Sequence, residues 1–514
     1  MKNKKGFTLI ELLAVIIILA VIALIATPIV LNVIDNARKS ANKDSAYGLL
    51  DSAKLYYMES LLDESKSLNG NLIDKINVSG RKPDDSGTVY INNRGETAIA
   101  VVYDKICYKK EYSDTDLTES SDIENCKVSE NIVYKDSILN GADPELKDNL
   151  VPVVINNDGT VKKADLSKEW YNYTNKTWAN AVLLNGNDTY KVGDTISEDA
   201  IKAYYVWIPR YKYQIFYDGT NTTEKQLINI TFESKDIAKS TGTEKDSWLT
   251  HPAFTFEDTE LNGIWVGKFE LTGDTTNPTI KPNVESLRNQ NVSTLFLTTQ
   301  KLSTNSSMLK NIEWGAIAYL TTSAYGQGLT EVRINNSSTF ITGCAASVEN
   351  GSSYSGCENA YNTAVGYLAS TTGNISGIYD MSGCSWEIVM GVIEDSLNSN
   401  IPSSGKDTTS NSGFTGKSTG IVASITGVSF PQSKYYDIYK YSIDYTDHAR
   451  YHLGDAITET KNWNGDHGTY FIYSNNPWFI RGGAYRSTIN AGTFAFSNDQ
   501  GSANSLFSTR TVLR

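Results

Sequence analysis

The sequence predicts an α+β protein in which a long N-terminal helix precedes a small β-rich head and then a large α+β domain with many loops. Three observations support this. An apolar run over residues 7–33 continues into a charged but still periodic stretch that ends near residue 62. Short β-like runs punctuated by Asp, Ser and Gly fill residues 63–149, and strand-sized aromatic runs separated by polar loops follow over 150–514.

The first element has the length of a membrane-spanning helix. Residues 7–33 are apolar or small except for Glu11, Pro28 and Asn32, and about 20 apolar residues span a bilayer. A secretory signal is the alternative, but its apolar region is normally shorter, and no A-x-A-like cleavage site follows here. We therefore predict a single-pass membrane helix that Pro28 kinks or locally melts.

Glu11 is the acidic residue of this apolar run, and two interpretations explain it. It can be a first-turn acid, which the helix dipole favours and which lies close enough to water to snorkel. Alternatively, cleavage after Gly6 would leave the amine of Phe7 as a cation. The Glu11 carboxylate could neutralise that amine in the same or a neighbouring subunit.

The stretch GFTLIE (6–11), which follows a short leader containing three lysines, resembles the cleavage and methylation motif of type IV pilins and pseudopilins. The resemblance implies cleavage after Gly6 by a prepilin peptidase and N-methylation of Phe7. It also implies assembly with other pilin subunits through Glu11. The expected segments are a leader peptide over 1–6 and a pilin-type transmembrane and stalk helix over 7–62, followed by a small pilin-like head over 63–149.

Five cysteines follow the apolar run, and four of them form local pairs. Outside the cell, Cys107 with Cys126 and Cys344 with Cys357 are predicted to be disulfides. A fully reduced chain is the alternative. A zinc site would favour closer C-x2-C pairs, which are missing, so we expect no metal and no cofactor. Cys384 is the odd thiol.

The large domain, 150–514, contains all nine tryptophans of the chain, from Trp170 onward. Aromatic runs at 203–217, 262–271 and 478–487 are predicted strands, and the stretch 309–324 is a predicted helix. Ser-, Gly- and Asn-rich stretches such as 396–420 are predicted surface loops.

Two sequence blocks of this domain resemble those of a known protein family. YDMSGCSWEIVMG (379–391) and the closing block over 478–513 resemble blocks of the formylglycine-generating-enzyme and sulfatase-modifying family, which has a C-type-lectin-like fold. The closing block is also similar to that of variable proteins of diversity-generating retroelements. The enzyme family acts through a cysteine pair near its closing block, whereas this chain has no cysteine after Cys384. The resemblance therefore implies a lectin-like scaffold, and we do not expect an enzyme.

In a lectin-like fold, the closing block contains anchoring strands and a solvent-facing stretch. The predicted anchors are Phe479, Ile480, Phe494, Phe496 and Val512. Polar and aromatic residues between them are the candidate ligand surface, expected to be clustered and exposed with Tyr485 and Arg486 nearest its centre. The candidates are Tyr485, Arg486, Ser487, Thr488, Asn490, Asn498, Asp499, Gln500, Ser502, Asn504 and Ser505.

Other chemical signals are weak. His448 and His452 have i, i+4 spacing but lack the glutamate of H-E-x-x-H, so structural roles are favoured. Lys417 and Ser418 follow a glycine, but a phosphate-binding loop needs glycine where Asn411 stands. The formal charge of −12 argues against a nucleic-acid partner.

The sequence thus predicts a protein anchored in the cell membrane with its head outside, available for assembly into a pilus. The favoured function is a minor or tip pilin, or adhesin, that displays a ligand-binding domain for a surface protein or glycan. A structural pilus or pseudopilus subunit without a ligand is the alternative, and an exported formylglycine-generating-type enzyme is the third hypothesis.

Overall fold

Two compact units make up the chain, Met1–Lys135 and Asp136–Arg514. The computed structural model describes residues 8–60, 66, 68, 70–77, 80–84, 87–92, 95–112, 114, 116–128, 143–147, 149–215, 225–242, 247–393, 412–415, 417–418, 421–422, 428–429, 431–439, 453–460, 463–468, 470–473 and 476–514. His448, His452, Asn411 and most of the predicted loop 396–420 lie outside the described residues.

Helix α1 spans Leu9–Ser60 and runs through Pro28 without interruption. It matches the predicted helix to within two residues at each end. The predicted local melting at Pro28 is absent from the described helix, because membrane-type helices tolerate proline within a continuous turn. Its apolar half is exposed, with exposed fractions of 84% for Leu9 and 79% for Leu24. Among the described residues, α1 is the helix that is long and apolar enough to cross a membrane.

The second half of α1 packs on a small antiparallel sheet. The sheet has the order β1 (Thr88–Ile91), β2 (Thr97–Tyr103), β3 (Ile106–Lys110) and β4 (Thr118–Ser120). Ala46, Leu49, Ala53 and Tyr56 recur at spacings of three and four and are buried, because these spacings place side chains on one helix face. They share a core with Val89, Ile99 and Val101 of the sheet, among others.

The strands and helices of the large unit are numbered in chain order. They are β5 (Val151–Ile155), β6 (Val161–Lys163), β7 (Asn180–Leu184), β8 (Thr195–Ile196), β9 (Ile201–Pro209), β10 (Tyr211–Gln214), β11 (Asn229–Phe232), β12 (Leu249–Thr250), β13 (Thr255–Phe256), β14 (Thr259–Glu260), β15 (Gly263–Gly267), β16 (Thr272–Gly273), β17 (Pro278–Thr279), α2 (Val292–Gln300), β18 (Ser306–Met308), α3 (Asn311–Thr321), β19 (Trp386–Ile393), β20 (Phe414–Thr415), β21 (Lys417–Ser418), β22 (Ile421–Val422), β23 (Val428–Ser429), β24 (Asp437–Tyr439), β25 (Trp478–Gly482), β26 (Gly492–Asp499), β27 (Phe507–Thr509) and β28 (Thr511–Leu513).

The main sheet of the large unit contains eight strands among the described residues, in the order β18-β28-β15-β9-β7-β5-β6-β8. Every pairing in it is antiparallel. Aromatic and β-branched residues fill its centre, as expected for strands that pack on both faces. The predicted strands at 203–217 and 262–271 are confirmed as β9, β10 and β15, and the predicted helix at 309–324 is α3.

A second sheet carries the closing block. It has the order β24-β19-β25-β26, and β27 also pairs with β19. Strands β25 and β26 are antiparallel, with Phe479 opposite Asn498 and Trp478 opposite Asp499. We call β25, the loop 483–491 and β26 the closing hairpin. It is held by its apolar side chains, and the predicted anchors Phe479, Ile480, Phe494, Phe496 and Val512 are all buried.

The segment that precedes the main sheet belongs to the large unit. The indole N–H of Trp265 donates to the Glu145 backbone oxygen at 2.7 Å, and the amide of Asn262 donates to the Glu145 carboxylate at 3.0 Å. The Tyr171 hydroxyl donates to Asp143 at 2.7 Å. The observed division after Lys135 therefore precedes the boundary drawn at residue 150 from the change in composition.

Candidate functional site

The start of α1 is a capping box built by Thr8 and Glu11. The backbone N–H and the hydroxyl of Thr8 both donate to Oε2 of Glu11 at 2.9 Å, and the Glu11 N–H donates to the Thr8 hydroxyl at 3.3 Å. This reciprocal arrangement satisfies N–H groups that a helix start leaves without partners. The T-x-x-E spacing could have revealed it in the sequence.

The capping box explains Glu11 as a first-turn acid, which was one of its two interpretations. Gly6 and Phe7, the predicted cleavage and methylation residues, lie outside the described residues. Pairing between Glu11 and the Phe7 amine therefore stays a prediction.

Both predicted cysteine pairs are disulfides in the structure. Cys107 of β3 is bonded to Cys126 with a Cα–Cα distance of 5.6 Å, and Cys344 is bonded to Cys357 with a Cα–Cα distance of 5.4 Å. Cys384 is a free, buried cysteine.

Loop 483–491 is a tight connection. Gly482 and Gly483 have φ angles of 84° and 83°, and a Cβ on Gly483 would lie 2.7 Å from the Ala491 Cα. Thr488 has a φ of 50°, which is unfavourable for a β-branched residue. The Tyr485 N–H donates to the Cys384 backbone oxygen at 2.8 Å. The loop is therefore a defined structure that is tied to the preceding block.

The eleven candidate ligand residues are all at least partly accessible, but the hairpin does not bring them together. Arg486, Asn490, Gln500 and Ser505 are exposed, and the other seven are partly exposed. Residues 485–490 follow β25, whereas Asn498 and Asp499 pair with the beginning of that strand. At about 3.3 Å per residue, the strand separates the two groups by about 13 Å.

Tyr485 lies in a group that includes two residues missed by the sequence analysis. Its ring meets the ring of Phe340 edge-on, with 5.0 Å between centroids. The Arg288 guanidinium lies 3.7 Å from the Phe340 centroid and donates to the Ser505 backbone oxygen. The contacts therefore place Ser505 on the Tyr485 side. Arg288 and Phe340 are distant in sequence, so only the fold reveals them.

At the other end of the hairpin, Asn498 and Asp499 form hydrogen bonds within the protein. Asn498 donates its amide to the Phe471 backbone oxygen at 2.5 Å and accepts from the Asn476 amide at 2.8 Å. Asp499 accepts from the Gly501 N–H at 2.7 Å, and burial raises the pKa of its carboxyl to about 6. Asn498 therefore holds neighbouring segments together through one N–H and its side-chain oxygen, and its contact with a ligand stays a prediction.

Segment 463–468 forms hydrogen bonds with the closing hairpin. A carboxylate oxygen of Asp466 accepts from the Phe494 N–H at 2.8 Å. The His467 N–H donates to the Asn490 backbone oxygen at 3.0 Å, and the Phe496 N–H donates to the His467 backbone oxygen at 2.7 Å. Segment 463–468 therefore touches both the loop and β26.

The block around Cys384 is a buried ionic cluster. Arg510 and Glu387 form an ion pair with no exposed side-chain surface. Burial raises the pKa of Glu387 to about 7, and burial with the nearby Glu387 charge raises the pKa of Glu270. Burial also raises the pKa of the Cys384 thiol, the acids adding to the effect. A protonated, buried thiol is a poor nucleophile, so the cluster fits a structural role.

The part of the chain that the structure describes contains no evident metal site. There, no group of three or more His, Cys, Asp or Glu side chains has a suitable arrangement. The buried His251 is surrounded by the aromatic rings of Tyr211, Tyr213, Phe254 and Tyr319. Burial lowers its pKa to about 3, so it is a neutral core residue.

Three solved structures similar to the chain have related titles. The Major Tropism Determinant I1 Variant is 11% identical, with 84% of this chain and 85% of that chain covered and a TM-score of 0.28. The U1 Variant is 11% identical, with 84% and 82% covered and a TM-score of 0.27. The P3c Variant is 12% identical, with the same coverages and TM-score as the U1 Variant. At such TM-scores, the similarity carries no argument about the ligand.

No curated protein matches the chain. A family model matches its beginning, where the apolar helix, the capping box and the basic leader stand together. Residues 1–27 match the family described as the prokaryotic N-terminal methylation motif, so the chain carries that motif at its start.

Proposed function

We propose that this chain is a surface-exposed, type IV pilin-like protein, anchored in the cell membrane by α1 and displaying a ligand-binding domain outside the cell. In this proposal it acts as a minor or tip pilin, or adhesin. A prepilin peptidase cleaves it after Gly6, and α1 then packs among other pilin subunits.

The observation that carries this proposal is the division of α1 into two halves. The methylation motif covers the beginning of the helix, and the apolar half between Leu9 and Ile34 is exposed. One face of the second half is buried against the sheet β1–β4 of the same unit. Exposed apolar surface of this extent requires lipid or apolar partners. A bilayer before assembly and neighbouring subunits afterwards would supply both.

Ligand binding is assigned to the part of the closing hairpin around Tyr485 and Arg486. Tyr485 is partly exposed and Arg486 is exposed, and residues of these types dominate binding hot spots. The loop that presents them is fixed by positive-φ residues and by the hydrogen bond to Cys384. Such rigidity reduces the entropy lost when a ligand binds.

Two alternative functions can be distinguished from the proposed one. A structural pilus or pseudopilus subunit would use the same α1 but bind nothing through the hairpin. An exported formylglycine-generating-type enzyme would need a reactive thiol, and the buried Cys384 speaks against this alternative. In this proposal the chain acts by binding and is not an enzyme.

Immunogold labelling of intact cells with an antibody against the large unit tests the proposal. We expect gold at filament tips in cells that make the full chain. Continuous labelling along filament shafts would favour the structural subunit. Labelling confined to the cell envelope, with filaments present but unlabelled, would contradict incorporation. A variant with Glu11→Ala provides the matched control, because its large unit keeps the same epitope.

A further inference from the structure

The Asp466 carboxylate is buried between the closing hairpin and the segment around Glu331. Asp466 is 97% buried, given its exposed fraction of 3%. Its Oδ2 accepts the Phe494 N–H, but among the described residues no N–H or fixed O–H donates to Oδ1. A buried, charged acceptor without a donor is costly. The Oδ1 atom therefore identifies a place where an additional proton or cation is needed.

The carboxyl group of Glu331 lies beside that of Asp466. The side chains of Glu331 and Asp466 form a hydrogen bond with each other, which requires a proton because two carboxylates have only acceptors. Burial is the largest cause that raises the pKa of Glu331 to about 7, and burial followed by the Glu331 charge raises the pKa of Asp466. The two acids therefore titrate as a pair.

The ammonium group of Lys225 is held near the two acids by hydrogen bonds. Lys225 donates its ammonium group to the Leu329 backbone oxygen at 2.8 Å and to the side-chain oxygen of Asn464. Its charge lowers the pKa of both acids of the pair, whereas the nearby charge of Glu349 raises the pKa of Glu331. One ammonium and one proton together neutralise two carboxylates, so a metal ion is not required.

The pair lies against the backbone of the closing hairpin. A Cβ on Gly492 would lie 2.3 Å from each of the two Asp466 oxygens, so only glycine leaves room for the carboxylate. Beyond Asp466, His467 holds the Asn490 backbone oxygen and the Phe496 N–H. Asp466 and His467 therefore hold both strand β26 and Asn490, at the end of the loop that carries Tyr485 and Arg486.

We propose that Glu331 and Asp466 share one proton that clamps segment 463–468 onto the closing hairpin, and that loss of this proton loosens loop 483–491. The proposed role in controlling a ligand surface rests on the function proposed above, whereas the clamp itself does not. After deprotonation, two carboxylates lie beside each other, and among the described residues Lys225 is the cation that acts on both. Their repulsion weakens the hydrogen bonds made by Asp466 and His467.

The direction of the pH effect follows from the raised pKa values. At low pH, both the closed and the opened forms hold the proton, and the clamp is complete. As pH rises, the opened form loses its proton first, so the equilibrium shifts toward opening by up to about tenfold per pH unit. The shift ends once the closed form has also lost the proton, near the pKa of about 7 that burial gives Glu331.

Amide hydrogen exchange of the full chain without ligand tests the clamp. Exchange is followed from pH 5 to 9, after correction for its intrinsic pH dependence. We expect the amides of Phe494, Phe496 and His467 to lose protection up to pH 7 and then level off. The amides of β9 should keep their protection throughout and serve as the internal control.

Three variants make the test specific. Glu331→Gln and Asp466→Asn each replace the shared proton with an amide donor, so either should remove the pH dependence of these amides. Glu349→Gln removes a nearby exposed charge without replacing the proton and should keep the dependence. If one amide variant fails to fold, as judged by thermal unfolding, the other is used.

Several results would overturn the clamp. They are wild-type protection that does not change with pH, an unchanged pH dependence in the folded amide variant, and an equal loss of protection in β9. Because no ligand is present, these results do not depend on adhesion. Conversely, a cell-binding assay that fails with an intact clamp would contradict the proposed function alone.

Discussion

At the residue scale, Gly492 and Asp466 fit each other so closely that neither tolerates a larger partner. The Asp466 carboxylate occupies the space that a side chain on residue 492 would need. The sequence offered no sign of this, because Asp466 belongs to a polar stretch and Gly492 to a run that reads as an ordinary strand. Such contacts depend on the fold and are invisible to local patterns.

We predict that Gly492→Ala destabilises the large unit by about 1–3 kcal/mol, because the new methyl group displaces Asp466 from the Phe494 N–H. Thermal unfolding of the full chain measures the effect. Gly186→Ala is the matched control, since a Cβ there meets nothing within 4 Å. Equal unfolding temperatures for the two variants would show that the carboxylate relocates freely.

For Glu11, substitution can separate capping from charge. Gln also forms a capping box, so Glu11→Gln should retain the helix start that Glu11→Ala loses. If the carboxylate pairs with the Phe7 amine, we expect both variants to insert in the membrane but neither to enter filaments. Fractionation and filament shearing measure the two steps. Normal incorporation of the Gln variant would leave capping as the sufficient role.

We predict that Arg486→Ala and Tyr485→Ala each abolish ligand capture by whole cells. Arg486→Ala should change stability by less than about 0.5 kcal/mol, because the side chain is exposed. Tyr485→Ala should cost about 1 kcal/mol through the lost contact with Phe340. The exposed Lys191→Ala is the control. Loss of binding that only follows loss of stability would make both residues structural.

At the element scale, the predictable parts were those with a strong local pattern. The length and apolarity of α1 predicted it to within two residues, and β9, β15 and α3 followed from aromatic and apolar runs. The grouping of the candidate ligand residues was not predictable. Strand register places Asn498 beside Phe479 rather than beside Tyr485, and register depends on pairing between distant segments.

The disulfides give an element-scale prediction about thiol counts. The two bonded pairs leave Cys384 as the free, buried cysteine. An alkylating reagent followed by intact mass measurement should therefore add no label to the native protein and one label after denaturation. Reduction before denaturing alkylation should give five labels, one for each cysteine. Five labels without reduction would mean that the isolated protein is fully reduced.

At the scale of the whole molecule, the two units should respond to pH in opposite directions. The large unit contains Glu270, Asp380 and Glu387, whose pKa values burial raises, the value for Glu387 reaching about 7. In the small unit, hydrogen bonds from Arg81 and Asn42 lower the pKa of Asp104 to about 2. These contributions belong to separate cores and can be observed separately.

Calorimetry of the full chain over a pH series should reveal this contrast. An acid whose pKa is higher in the folded than in the unfolded protein stabilises the fold at pH values below its unfolded pKa, and this contribution is lost as pH rises to its folded pKa. The transition of the large unit should therefore move to lower temperature as pH rises through 7. Asp104 stabilises the small unit at pH values above the pKa that its carboxyl has in the unfolded protein. The small unit should therefore become less stable as pH falls toward 2, the pKa of Asp104 in the fold being about 2. A large-unit transition that moves upward between pH 5 and 8 would contradict the assignment.

Strand β28 lies inside the main sheet, between β15 and β18, and Val512 pairs with both Val266 and Ser307. The neighbouring Arg510 neutralises Glu387 in the interior. The main sheet therefore cannot close until residues 511–513 have been synthesised, because strand β18 is joined to β15 only through β28. A chain interrupted before residue 510 lacks both this inner strand and the buried counter-ion of Glu387, so we expect it to leave the apolar edges of β15 and β18 uncovered.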